Sequence, residues 1–234
     1  MRTLPILFKT EMVQALLAGR KSCTRRAIKF PDKMTGRPIG KSGDSSNPLG
    51  FFYPGGIKRP PYQPGDILYV RETWNKAGLV DDSDHVIEVA EKYYYAAGPE
   101  KPCFDFWVDP ETGEHKDRMP WKPSIHMPKD AARIWLKVTD VRVERLQEIT
   151  EDQTEEEGFL FTPPCLHLTG ENYCDIDGPC TSKIKYCDMG AGELFGKVLW
   201  NSTIKKTDID RYGWDANPYV WVIEFERCEK PGKE

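Results

Sequence analysis

The stretch Leu16-Leu17-Ala18-Gly19-Arg20-Lys21-Ser22-Cys23-Thr24-Arg25-Arg26 joins a helix to a strand and sets basic and hydroxyl side chains at the joint. Just before it, Met12, Val13, Leu16 and Leu17 recur at helical spacing behind Thr10, a capping residue type. That predicts a helix from Glu11 to Ala18. Gly19 then supplies the left-handed turn that ends it. Lys21 to Ile28 follows directly as an extended segment. Residues three apart on a regular strand point to opposite faces, but at a helix-to-strand junction they can meet at one spot. Lys21 and Thr24 are such a pair.

Downstream, residues 31–64 are rich in Gly, Pro, Ser and Lys and read as a long surface loop. Pro64-Gly65-Asp66 is a turn, and Ile67 to Trp74 is a strong strand. Residues 75–120 read as an insertion with short strands near Val86–Val89 and Tyr93–Ala97. Arg133 to Leu146 alternates well enough for one long strand. Thr150 opens a short acidic helix that ends at Gly158. Residues 159–192 are irregular and carry four cysteines, Glu193 to Ser202 is a second helix, and Tyr219 to Glu226 is the last strand. One early helix, one acidic helix and several strands give an α+β chain, read as a single domain over 1–234 with insertions at about 31–64, 75–120 and 159–192.

Charge is distributed in blocks. Eight cations from Arg20 to Lys41 face the single acid Asp32, and seven acids from Glu144 to Glu157 face the single cation Arg145. Across the chain, 37 acids against 33 Lys and Arg leave a net charge of −4, so contact with a polyanion has to come from the local basic run. No apolar run approaches the roughly 20 residues that span a bilayer, and the first residues lack a signal-peptide pattern. The chain is expected in the cytoplasm, away from membranes. Seven cysteines, an odd number, fit free thiols or metal ligands better than a disulfide framework.

The opening stretch resembles the start of ASCH domains. So do Gly65-Asp66 with Val70-Arg71-Glu72-Thr73-Trp74, then Val141-Arg142-Val143-Glu144-Arg145-Leu146, Glu156-Glu157-Gly158 and Val220-Trp221-Val222-Ile223-Glu224-Phe225. The blocks come in the family's order, and the long form is similar to members found in phages and prophages. The resemblance implies a small PUA-like mixed β-barrel with flanking short helices and long loop insertions. It also implies a nucleoside or nucleic-acid partner, RNA or single-stranded DNA. A small bacterial member of the family is an amidohydrolase that deacetylates N4-acetylcytidine, and its lysine, threonine and glutamate match Lys21, Thr24 and Glu157 here.

That chemistry is sound for these residue types. A threonine hydroxyl becomes a nucleophile when a neutral lysine takes its proton, and a carboxylate can orient that lysine or pass the proton on. Arg26, or a backbone N–H near Thr24, would stabilise the oxyanion, and Arg20 stands beside the base. Ser22 and Cys23 offer other nucleophiles. Arg71, Glu72 and Trp74 suit a base through edge hydrogen bonds and stacking, and chain order sets Trp214, Asn217 and Tyr219 on the far side of such a pocket. Cys165, Cys174, Cys180 and Cys187, with His167 as an alternative ligand, have the softness and count for a structural zinc, although no pair has the tight two-residue spacing. The expected activity is hydrolysis of an N4-acyl amide on cytidine or a related base, with no cofactor in catalysis. The alternatives are a non-catalytic RNA or single-strand binding module and, more weakly, a ribonuclease, for which the sequence supplies no histidine pair or carboxylate cluster.

Overall fold

The computed structural model describes residues 1–30, 36–44, 46–77, 92–98, 107–108, 115–116, 121–159 and 190–232. They form two compact units, one of residues 1–19, 65–138 and 225–234, the other of residues 20–64 and 139–224.

In the first unit, β1 (Thr3–Leu7) runs parallel to β6 (Ile67–Arg71), and β6 pairs antiparallel with the opening of β11 (Trp135–Arg145). Helix α1 (Thr10–Leu17) follows β1 and buries Val13, Ala15 and Leu16. Its start differs in detail from expectation. Thr10 is the first helical residue rather than the cap, and Lys9 at the cap position makes no side-chain cap bond. Gly19 takes φ 73°, the left-handed conformation that stops the helix. The strong strand expected over Ile67 to Trp74 breaks after Arg71, and β7 (Trp74–Ala77) turns away to pair with β8 (Lys92–Tyr95). Ile67, Trp74, Met127, Ala131, Ala132 and Trp135 form the core there.

In the second unit, β2 (Cys23–Ala27) pairs antiparallel with β12 (Tyr219–Cys228), from Cys23 opposite Glu224 to Ala27 opposite Val220. The run 31–64 is not the plain loop that its composition predicts. Its described part folds into a three-stranded antiparallel sheet of β3 (Arg37–Ile39), β4 (Gly50–Tyr53) and β5 (Gly56–Lys58). Phe51 is the reason: it is fully buried, stacked 5.7 Å from Phe30 and tilted against Tyr219 at 5.0 Å between ring centroids.

Helix α2 (Glu151–Glu156) has a reciprocal cap, with Gln153 N–H on Thr150 Oγ1 and Thr150 N–H on Gln153 Oε1. Helix α3 (Ala191–Leu194) continues through a π-helical turn (Phe195–Trp200) into α4 (Asn201–Thr203), and α5 (Ile209–Tyr212) follows. The π-turn lies where Gly196 meets the Trp214 ring, so close that a Cβ on Gly196 would stand 1.9 Å from Trp214 Cε3. Leu146, Ile149, Phe195, Trp200, Trp214, Val220 and Val222 make the core of this unit.

Strands β11 and β12 are neighbours in the strand order. The sheets are open rather than closed into the expected barrel. Among the described residues, β1 and β2 each have a single neighbour in the strand order and stand as edges, with no pairing between them to close a barrel. The mixed α+β content is as read from the sequence. Among the described residues, no helix is long and apolar enough to cross a membrane.

Candidate functional site

The basic run does not form one basic surface. Lys21 and Arg25 have no side-chain exposure at all, while Arg20, Arg37 and Lys41 stay exposed. On β2, Cys23, Thr24 and Arg25 are buried in succession, so both faces of this strand are covered at that point.

Two cations cannot be buried without compensation, and α2 supplies it. Lys21 Nζ donates to Glu157 Oε2 at 2.8 Å, to the Glu157 carbonyl at 2.7 Å and to the Cys23 carbonyl at 2.7 Å. These three oxygens match the three N–H donors of a lysine side chain at the free carbonyl end of α2. Arg25 donates Nη2 to Gln153 Oε1 at 2.7 Å and to Glu144 Oε2 at 3.2 Å, and Nη1 to Glu157 Oε1 at 3.4 Å. Its buried Nε has no acceptor among the described residues.

Local sequence explains how α2 reaches this point. The Thr150–Gln153 cap fixes its start and turns Gln153 Oε1 toward Arg25. Gly158 at φ 86° ends it, with Gly158 N–H on the Glu155 carbonyl and Phe159 N–H on the Thr154 carbonyl, leaving Glu157 as the last right-handed residue. Ser22 N–H on the Glu156 carbonyl and Arg20 Nη1 on the Gly158 carbonyl tie the joint before β2 to this end of the helix. Lys21 and Glu157, 136 residues apart, are thereby in direct contact, and Thr24 is buried three residues beyond Lys21. The Thr24 hydroxyl makes no hydrogen bond among the described residues.

The other nucleophile beside Thr24 is inert. Burial, then Glu157, pushes the Cys23 thiol up to about 12, so it stays protonated near neutral pH. Burial also pulls the Arg26 guanidinium below its ordinary value, against the opposing pull of Tyr62 and Glu157.

Arg71, Glu72 and Trp74 belong to the first unit and take separate partners there. Glu72 is 1% exposed and takes both forks of Arg133, at 2.9 Å each, while Arg133 lies 4.1 Å over the Tyr95 ring. Arg71 Nη2 donates to the Ile125 carbonyl instead. Trp74 is packed in the core against Tyr93, 5.8 Å between ring centroids, and its buried indole N–H has no acceptor among the described residues. Trp214 likewise belongs to a core cluster. The residues that sequence reasoning passed over are Arg25, Glu144, Gln153 and Arg133. Only Gln153 carried a local signal, the Thr-x-x-Gln pattern.

Cys165, Cys174, Cys180, Cys187 and His167 lie outside the described residues. Among the described residues, no group of His, Cys, Asp and Glu is arranged to hold a metal ion. No protein-family model, curated protein or solved structure matches this chain.

Proposed function

We propose that the chain is an ASCH-type, PUA-like hydrolase that removes an N4-acyl group from cytidine or a related base, with Thr24 as nucleophile and Lys21 and Glu157 as its proton-handling pair. One observation supports this reading above the rest: the buried Lys21–Glu157 contact, three residues from a buried threonine whose hydroxyl has no partner among the described residues. A buried ion pair adds little net stability compared with apolar packing, which favours a role in chemistry.

The steps follow from the proton positions. The Lys21 Nζ–Glu157 Oε2 hydrogen bond is the route by which Lys21 passes a proton to Glu157 and acts as a base. The neutral amine then takes the Thr24 Oγ proton as Oγ attacks the acyl carbon. Collapse of the tetrahedral alkoxide breaks the C–N bond, and Lys21 returns the proton to the leaving exocyclic nitrogen. Water, activated by the same amine, then hydrolyses the acyl-threonine.

The test is release of cytidine from N4-acetylcytidine by the purified full chain, followed by chromatography. The wild type is expected to turn over and Thr24→Ala to lose activity by at least about a hundredfold. Turnover that is unchanged in a folded Thr24→Ala protein removes the nucleophile. No turnover by folded wild type points to a nucleic-acid binding module without chemistry.

A further inference from the structure

Arg25 has no part in the proposed steps, yet its side chain is fully covered and its fork joins three elements of the second unit. From β2, Nη1 reaches Glu157 Oε1 at the end of α2, at 3.4 Å. Nη2 reaches Gln153 Oε1 within α2 at 2.7 Å and Glu144 Oε2 on β11 at 3.2 Å. Two of those acceptors are themselves held. Gln153 Oε1 also takes the Thr150 N–H in the cap of α2. Glu144 Oε1 accepts from Arg142 Nε, and Arg142 Nη1 donates to Glu224 on β12. A guanidinium is planar, so bonds to both of its Nη groups fix its orientation. Glu157 is thereby gripped at both oxygens, Oε2 by Lys21 at 2.8 Å and Oε1 by Arg25.

The two oxygens fare differently in the proposed reaction. When Lys21 passes a proton to Oε2, an N–H bond breaks, an O–H bond forms, and the ion pair between the two side chains is gone. A carboxyl held through Lys21 alone is then free to turn away, and a displacement of about 1 Å is enough to cost a hundredfold in rate. Arg25 is not a party to that transfer and keeps its bond to Oε1. We propose that Arg25 is the positioning residue of this site, holding Glu157 within reach of Lys21 while the proton is on Oε2 and until it returns. The proposal rests on the hydrolase reading. A side chain without exposed surface meets no substrate, so Arg25 acts through Glu157.

Hydrolysis of N4-acetylcytidine by the full chain tests it, with Arg25→Gln and Arg25→Lys made in the wild type and in Glu157→Gln, and folding checked by circular dichroism. In the wild-type background Arg25→Gln is expected to lower kcat at least about tenfold and leave KM within about twofold, because a misplaced carboxyl slows chemistry and not binding. Arg25→Lys keeps a donor without the fork and is expected to fall between the two. In the Glu157→Gln background, with enough enzyme to follow the residual rate, the Arg25 changes are expected to cost less than about twofold, since the group they act on is gone. A purely structural arginine lowers kcat by the same factor in both backgrounds, and that result overturns the proposal. So does unchanged kcat in folded Arg25→Gln, or a rise in KM in place of the fall in kcat. If Arg25→Gln does not fold, the same comparison is read from Arg25→Lys. Absence of turnover in folded wild type removes the hydrolase reading and this role with it, whereas wild-type turnover that survives Arg25→Gln removes this role alone.

Discussion

Lys21 and Glu157 show how burial sets the behaviour of single residues here. Removing one charge of a buried pair strands the other, at about 3–5 kcal/mol, whereas an apolar replacement of both is often near neutral. Lys21→Met is therefore expected to lower stability by that amount in urea unfolding. The Lys21→Met/Glu157→Leu double variant is expected to recover most of it, and both should lose hydrolysis. Equal stability losses that simply add would show that the two residues are not coupled. Cys23 gives a second expectation. Its folded thiol titrates near 12 against an ordinary value of 9, so the folded chain holds the proton that the unfolded chain releases. The stability this contributes is full below about pH 9 and is lost as pH rises toward about 12. Peptide mapping after iodoacetamide treatment at pH 8 should find Cys23 unmodified in the native protein and modified after unfolding. The Lys21–Glu157 pairing entered the sequence reading through the family resemblance alone, and the protonated thiol was not legible in a sequence that shows Cys23 beside a threonine. Both depend on which oxygens α2 brings to β2.

Elements were more legible, and the failures have tertiary causes. The Thr150–Gln153 cap and Gly158 mark both ends of α2 in the sequence itself, and Gly19 marks the end of α1. By contrast, a composition rich in Gly and Pro conceals β3, β4 and β5, because their stability comes from Phe51 packing on Phe30 and Tyr219, far away in the chain. The π-turn at Phe195–Trp200 is similar: spacing predicts a plain helix, and contact with Trp214 sets its form. Gly196→Ala puts a methyl into that ring, so it is expected to cost about 1–3 kcal/mol in chemical unfolding, where a surface glycine would gain from the same change. A melting point equal to wild type would place Trp214 elsewhere.

At the scale of the whole molecule, net charge and chemistry make a combined prediction. An uncharged nucleoside neutralises no phosphate, so its turnover is expected to change less than about twofold between roughly 50 and 300 mM salt, while any binding of polymer falls steeply. Turnover that falls in parallel with polymer binding would mean the substrate is the polymer. The sequence by itself determined the α+β content, the helix stops and the residue types able to do acyl transfer, because turn glycines, caps and hydrophobic periodicity act over a few residues. Only the tertiary structure decided that the strands leave open edges, that Glu72 belongs to Arg133 rather than Arg71, and that Lys21 and Arg25 of the basic run are buried. Each of those is a matter of partner choice between residues tens to more than a hundred positions apart. Burial, which makes an unpaired charge costly, is what selects the partner, and a linear pattern carries no record of it.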